Sequence, residues 1–236
     1  MDKALQKIAQ FGNQYAIQWV QKQFERIQRM SGANRIFRRI ASASDKEQLD
    51  DYLAEVLYAL VFAGLEFRVE IEPFGSKGPD LKVSRACHSA AVEVTRFRKM
   101  YPGPPVLDLE DENLRLPEYG NPPRDIRKAF EKILAKFSQI ENEQAIIAIW
   151  NDDEDLEELE VATAVNDMRR DAHRRVLSLP SGLLFVLYGS KWVRAGDHKQ
   201  LYCFPLRHVE QPYQATWQQE LDTSTVSELI QRALIN

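Results

Sequence analysis

The 236-residue sequence contains few of the residues that mark several common protein classes. Its two cysteines, Cys87 and Cys203, are too few for a disulfide framework and lack the spacing of metal ligands. The four histidines are scattered along the chain without such spacing, so we expect no structural zinc site. Only 10 glycines and 11 prolines occur, and no repeat is evident, which excludes collagen-like and low-complexity chains.

Long apolar runs and several catalytic motifs are missing as well. The longest apolar run, Tyr52 to Phe67, is interrupted by Glu55, Gly64 and Glu66, and none reaches 18 residues. The first residues do not form a signal-peptide pattern, so we expect a cytoplasmic protein without a membrane partner. Phosphate-binding loops, dinucleotide fingerprints, nucleophile elbows and HExxH motifs are absent, which leaves nucleotide-dependent enzymes, serine hydrolases and zinc proteases without support.

The overall composition is typical of one compact domain with a modest extension. Hydrophobic residues make up 44% of the chain and charged residues 28%, enough to bury a sizeable core. The net charge of −4 is unevenly distributed, because residues 1–44 hold eight basic and two acidic residues. This basic segment indicates either a nucleic-acid contact or the polar face of amphipathic helices, and the sequence leaves both open.

Hydrophobic periodicity predicts an α/β (α+β) fold in which helices flank a mixed sheet. Helices are expected within residues 3–30 and around 36–40, and Ser44 with Glu47 forms a capping-box pattern for a helix that ends at Gly64. We divide the chain into a basic N-terminal helical extension, residues 1–43, and a single domain, residues 44–236. The later predicted elements are strands 65–72, 80–85 and 90–97, a proline-rich loop 101–123, a helix from Arg124 to about Glu141, strand 145–150, a helix 155–176, strands 183–188 and 200–205, and a helix 225–235.

Two acids fall on one face of the hairpin predicted for residues 80–95. Strand alternation places Asp80, Lys82, Glu93 and Thr95 together, opposite the apolar face. If Ala86–Ser89 form the turn, Lys82 faces Glu93 and Asp80 faces Thr95. Neighbouring carboxylates repel each other unless a cation lies between them, and hard oxygen ligands suit Mg²⁺ or Mn²⁺. The hairpin therefore predicts a divalent-metal site.

Glu55 is a third candidate acid, because it lies on an apolar stripe in the middle of its helix. A carboxylate in such a setting needs a partner. It either joins the metal site or forms an ion pair with Arg68, Lys82 or another base. For Glu93 the corresponding alternative is an ordinary strand ion pair with Lys82.

These residues together resemble the PD-(D/E)xK nuclease superfamily. Glu55 lies on a helix, Gly78-Pro79-Asp80 precedes one strand, and Val92-Glu93-Val94-Thr95 lies on the next. The resemblance implies a restriction-endonuclease-like αβββαβ core over residues 44–150, with C-terminal strands and a helix in residues 151–236. It also implies that Asp80 and Glu93 bind the metal and that Glu55 completes the site. Thr95 stands where the family has a lysine.

A nuclease of this kind also needs a positive group to stabilise the charge that develops on the phosphate. The Thr95 hydroxyl could orient a water molecule but carries no charge. Lys82, on the same predicted face as the acids, is the expected replacement, and Lys77 is the second choice. Arg96 and Arg98 have the opposite strand parity.

The helix predicted after the proline-rich loop carries a candidate surface for nucleic acid. Arg124, Lys128, Lys132 and Lys136 recur every four residues, on the side away from the apolar positions of the helix. Such a ridge can follow a row of phosphates, which an acidic protein needs in order to approach a polyanion. The alternative is a helix face that only contacts solvent.

The sequence thus leaves two functions of different classes. The first is a Mg²⁺- or Mn²⁺-dependent endonuclease that hydrolyses phosphodiester bonds, with DNA as the expected substrate. The second is a catalytically degenerate nuclease-fold module that binds nucleic acid or assembles with a protein partner, and a homodimer is also open. The residues assigned to the catalytic site are Glu55, Asp80, Lys82, Glu93 and Thr95.

Overall fold

The computed structural model describes residues 2–11, 17, 21–23, 26–75, 78–85, 88–98, 122–140, 144–152, 156–190 and 201–206. Within these residues, six strands form one mixed sheet with helices packed against both faces, so the predicted mixed α/β architecture is confirmed. The helices are α1 (Asp2–Gln10), α2 (Ala33–Ser42), α3 (Lys46–Gly64), α4 (Pro122–Leu134) and α5 (Glu158–His173), and the strands are β1 (Arg68–Ile71), β2 (Leu81–Arg85), β3 (His88–Phe97), β4 (Ala145–Asn151), β5 (Leu183–Ser190) and β6 (Leu201–Pro205).

The six strands lie side by side in chain order. Strand β2 is antiparallel to β1 and β3, β3 and β4 are parallel, β4 and β5 are parallel, and β5 and β6 are antiparallel. Alternating or continuous apolar residues predicted each of these strands. The uninterrupted apolar run of β4 is buried on both faces, as a central parallel strand requires.

The sheet separates two apolar cores. Alternate residues of β3 point to opposite faces, so Val92 and Val94 join the core beneath α1, α2 and α3, whereas Ala91 and Phe97 join the core beneath α4 and α5. Glu93 has the parity of the second pair and therefore points toward the α4 face.

The segment before α2 is attached directly to the edge of the sheet. The backbone carbonyl of Ser31 accepts a hydrogen bond from Ile71 N at 2.8 Å. Gly32 has a φ of +83°, and a Cβ atom on it would lie 2.0 Å from the Ile71 carbonyl oxygen. Only glycine fits this close approach of two backbones. Residues 31 and 32 therefore fix the start of α2 against β1.

Several helix boundaries differ from the predicted ones, and two of these differences have a clear local cause. Asp45, not Ser44, caps α3, because its carboxylate accepts a hydrogen bond from Gln48 N at 2.8 Å. Helix α4 ends at Leu134 rather than near Glu141, since hydrogen bonding tightens to the i−3 pattern at Lys136. A 3₁₀ turn then spans Phe137–Gln139.

Helix α5 begins at Glu158 and is opened by a capping box formed by Glu157 and Glu160. Acidic residues in its first turn suit the positive end of the helix dipole. The predicted helix 225–235 and most of the predicted proline-rich loop lie outside the described residues. None of the helices in the described ranges combines the length and the apolar character needed to cross a membrane.

Candidate functional site

The hairpin of β2 and β3 brings Asp80 and Glu93 together, although in a different register from the predicted one. Leu81 pairs with Val92 and Lys82 with Ala91, so extending this register by one residue brings Asp80 level with Glu93. The predicted pairings of Lys82 with Glu93 and of Asp80 with Thr95 are wrong. The reason is that β3 already begins at His88, so the connection is shorter than the four residues assumed.

Glu93 is a buried carboxylate whose two oxygens differ in their hydrogen-bond partners among the described residues. Its Oε1 accepts a hydrogen bond from Lys136 Nζ at 2.6 Å. Its Oε2 is buried and accepts no hydrogen bond from any described residue. Burial, and then the nearby Asp80 carboxylate, raise the pKa of Glu93 to about 7, although Lys136 opposes this shift. A buried carboxylate oxygen without a hydrogen-bond donor costs folding free energy, so Glu93 Oε2 needs a structural or functional explanation.

Asp80 lies immediately before β2 and is oriented by the backbone of β3. Its Oδ2 accepts a hydrogen bond from Val94 N at 2.9 Å. Burial raises the pKa of Asp80, while the Val94 N–H, Arg39 and Lys136 oppose the shift. The side chain therefore lies between bases that approach from α2 and from the end of α4.

Glu55 points from α3 toward the same acids and is neutralised by Arg39. The guanidinium binds both carboxylate oxygens, with Nη1 and Nη2 at 2.8 and 2.9 Å. Burial, and next the Asp80 carboxylate, raise the pKa of Glu55 well above its ordinary value, and Arg39 opposes them. The alternative that a base pairs with Glu55 is confirmed, but the base is neither Arg68 nor Lys82.

Arg39 joins a second carboxylate to the site. It forms an ion pair with Glu72, which directly follows β1, and its Cζ lies 4.2 Å from the centre of the Tyr52 ring. The sequence analysis missed both Arg39 and Glu72. The only available signal was the strongly basic N-terminal segment, because the contacts join residues 16 and 33 positions apart in the chain.

We call Glu55, Glu72, Asp80 and Glu93 the acid cluster. Among the described residues, Arg39 and Lys136 are the bases that form ion pairs with its carboxylates. Four ionised carboxylates would thus exceed these two bases by two negative charges. The raised pKa values of Glu55, Asp80 and Glu93 express this repulsion together with burial.

The lysine beside Glu93 is Lys136 and not Lys82. Lys82 faces Glu70 on β1 and Ala91 on β3, so the alternative of a Glu93–Lys82 strand ion pair is wrong. Lys136 reaches Glu93 because α4 ends at Leu134 and the chain turns toward the sheet. Lys77, the second predicted candidate, lies outside the described residues.

Thr95 is buried on the same face as Glu93, two residues farther along β3. Arg96 has the opposite parity, as predicted, and lies in a separate network under the start of α3. Its Nε is 2.9 Å from Asp51, and its guanidinium also pairs with Glu47 and Asp152. These contacts tie β3 to α3 and to the end of β4.

Lys128, Lys132 and Lys136, which we call the cationic row, lead along α4 to the acid cluster. The Nζ atoms of Lys128 and Lys132 lie 5.8 and 5.7 Å from the centre of the Phe97 ring, at the end of β3. Burial, Arg98 and the other two lysines lower the pKa of Lys132. The predicted ridge therefore turns partly toward the sheet. Arg124, its predicted first member, is exposed beside Asp125.

Asp80 and Glu93 fit a divalent cation better than the predicted set of three acids does. The unpaired Glu93 Oε2 and the excess negative charge both favour a cation, and Mg²⁺ often binds proteins through one or two carboxylates. Glu55 does not fit as a third ligand in this arrangement, because Arg39 engages both its oxygens. Accordingly, no group of three or more histidine, cysteine, aspartate or glutamate side chains in the described residues is placed to hold a metal.

Comparisons of the chain with family models, with curated proteins and with solved structures give no match.

Proposed function

We propose that this chain is a Mg²⁺- or Mn²⁺-dependent endonuclease that hydrolyses phosphodiester bonds, with DNA as its substrate. The observation that carries the proposal is the state of Glu93. This buried carboxylate binds a lysine with one oxygen and leaves the other oxygen without a described donor beside Asp80. A divalent cation would satisfy that oxygen and neutralise the acid cluster.

The order of the elements supports the proposal. Helix α3, strands β1, β2 and β3, helix α4 and strand β4 follow one another in the αβββαβ order that the resemblance to the PD-(D/E)xK superfamily implies. The acids also occupy the implied positions: Glu55 on the helix, Asp80 before the second strand and Glu93 on the third.

Each group then has a specific role. Asp80 and Glu93 would hold the cation, which would polarise the phosphodiester and lower the pKa of an attacking water molecule. Lys136, rather than Lys82, would stabilise the charge that develops on the phosphate oxygens, because it is the lysine beside Glu93. The Thr95 hydroxyl lies on the same face and could orient water. The rest of the cationic row would contact neighbouring phosphates.

Metal binding is the first test. The full-length protein is unfolded thermally in EDTA and then in millimolar Mn²⁺ or Mg²⁺. A ligand that binds only the folded state stabilises it by about 2.7 kcal/mol at 100 times its Kd. We expect stabilisation of the wild type and its loss in Glu93→Gln and Asp80→Asn. Glu158→Gln, an exposed acid on α5, is the matched control and should respond as the wild type does.

Cleavage is the second test, with single- and double-stranded DNA and RNA as substrates. Metal-dependent cleavage of DNA that disappears in Glu93→Gln supports the proposal. Equal metal stabilisation in the wild type and in both acid variants would refute the assignment of Asp80 and Glu93 as ligands.

A degenerate nuclease-fold module that binds nucleic acid is the second candidate. Two observations favour it: Arg39 and Lys136 already neutralise part of the acid cluster, and Thr95 carries no charge. This candidate predicts nucleic-acid binding without metal stabilisation and without cleavage. Cleavage that appears only in Thr95→Lys would also support it, since a lysine at that position would then restore a missing function.

A further inference from the structure

The segment that contains α2 is strongly basic. Residues 26–44 contain five arginines and no acidic residue. Arg26, Arg29, Arg35 and Arg38 are exposed, and Arg39 is half-buried. A solvated helix face usually mixes both signs of charge, whereas this segment carries basic residues and no acidic ones.

The arginines of α2 share one side of the helix. With 3.6 residues per turn, Arg35, Arg38 and Arg39 lie within an arc of about 100°. The opposite side buries Ile36, Phe37 and Ile40 in the core beneath the sheet. We call the three arginines the arginine face. The contact of residues 31 and 32 with β1, together with this buried side, fixes its orientation.

The arginine face borders the acid cluster. Arg35 donates to the backbone carbonyl of Glu72, and Arg39 forms ion pairs with Glu72 and Glu55. Arg38 donates a hydrogen bond from Nε to the Asn34 carbonyl one turn earlier in its own helix, and it lines a surface cavity together with Asp2 and Lys3 of α1. The helix thus presents exposed positive charge immediately beside the proposed catalytic site.

The cationic row reaches the same cluster from the other face of the sheet. Helix α2 packs in the core with α3, whereas α4 packs in the core with α5. Two helices on opposite faces of a sheet have axes about 20 Å apart, given packing distances of about 10 Å on each side. A single nucleic-acid strand covers that distance with roughly six nucleotides at 3.4 Å each.

We propose that Arg35 and Arg38 of the arginine face form a second phosphate-binding surface, and that one nucleic-acid molecule contacts them and the cationic row while passing over the acid cluster. This inference rests on the proposed function. Arginine suits the role because its guanidinium stays charged and binds phosphate oxygens in pairs. The basic N-terminal segment is then part of the substrate site rather than a separate module.

Salt-dependent binding tests the proposal. Fluorescence anisotropy measures the affinity of the full-length protein, in EDTA, for labelled single strands of about 20 nucleotides over a range of salt concentrations. Loss of two phosphate contacts reduces the slope of log affinity against log salt by about 1.4 for a single strand. We expect this reduction in the double variant Arg35→Ala with Arg38→Ala. About half of it is expected in Arg38→Ala alone, and the wild-type slope in Arg38→Lys.

Three controls make the outcome decisive. Arg170→Ala with Arg174→Ala removes two exposed charges from the end of α5 and should leave the slope unchanged. Thermal unfolding of each variant shows that the fold is retained. With strands of about 20 nucleotides, the losses of affinity in the α2 double variant and in Lys128→Ala with Lys132→Ala should add. Strands of about four nucleotides are too short to reach both surfaces, so with them the two losses should not add.

Two results would overturn the inference, and they are distinguishable. If the α2 variants bind long strands with the wild-type slope while Lys128→Ala with Lys132→Ala flattens it, the arginine face is not a phosphate-binding surface and the proposed function stands. If neither set changes the slope and metal gives no stabilisation, the proposed function itself fails.

Discussion

Replacing Glu93 with glutamine should stabilise the metal-free protein at alkaline pH. The folded-state pKa of about 7 lies above the ordinary value of 4.5, so the folded protein binds this proton more tightly than the unfolded chain does. The corresponding stabilisation is fully present below pH 4.5 and is lost as the pH rises through 7. Glutamine cannot ionise and still offers an oxygen to Lys136, so the variant avoids this loss.

The size of the expected stabilisation follows from the pKa shift of Glu93. A pKa difference of one unit corresponds to 1.36 kcal/mol, so raising the pKa from 4.5 to about 7 corresponds to about 3 kcal/mol. The free energy of unfolding of Glu93→Gln should exceed that of the wild type by up to this amount above pH 7. Below pH 4.5 the two proteins should differ little, because Glu93 is then protonated in both the folded and the unfolded state.

Urea denaturation in EDTA at about pH 4.5 and about pH 8 measures the difference. Glu158→Gln is the control, since this exposed acid should give no comparable pH dependence. A Glu93→Gln variant that is less stable than the wild type at about pH 8 would refute the electrostatic description of the site. So would a difference in unfolding free energy that is the same at both pH values.

Three further predictions concern other positions. Asp80→Asn should retain its fold in thermal unfolding but lose both metal stabilisation and metal-dependent cleavage, and wild-type cleavage would exclude Asp80 as a ligand. Lys136→Ala should reduce the single-turnover rate by about 10² to 10³-fold, the effect of losing one positioned electrostatic group, whereas Lys82→Ala should stay near the wild-type rate. If instead Lys82→Ala were the slower variant, Lys82 would be the group that stabilises the charge on the phosphate. Arg96→Met should lower the free energy of unfolding in urea by about 3 kcal/mol, because it leaves the acids around Arg96 without their buried partner. A loss below about 1 kcal/mol would show that solvent screens those acids.

Local patterns predicted the strands well. Alternation and the continuous apolar run of β4 depend only on which residues lie next to each other, so all six described strands were found to within a few residues. Helix ends were less accurate. The cap moved from Ser44 to Asp45 because both can accept a hydrogen bond, and only the fold decides which backbone N–H faces which oxygen.

The candidate site was predicted in part. Strand parity correctly placed Asp80 and Glu93 on one patch, because side-chain direction follows from the period of two. The register failed, since it depended on a turn length that local residue types did not determine. Lys136 and Arg39 reach the acids through tertiary packing of α4 and α2, and no spacing within the sequence encodes those contacts.

The close contact of Gly32 with Ile71 has a consequence for the behaviour of the protein in solution. Strand β1 is an outer strand, and the outer strands of sheets can recruit strands from other molecules. Ser31 occupies one hydrogen-bonding position on that border, in a parallel bridge opposite Glu70. Any side chain at position 32 would clash with the Ile71 carbonyl and displace Ser31 from the edge of β1. Substitutions of Gly32 should therefore promote self-association and precipitation, even though the residue lies outside the acid cluster.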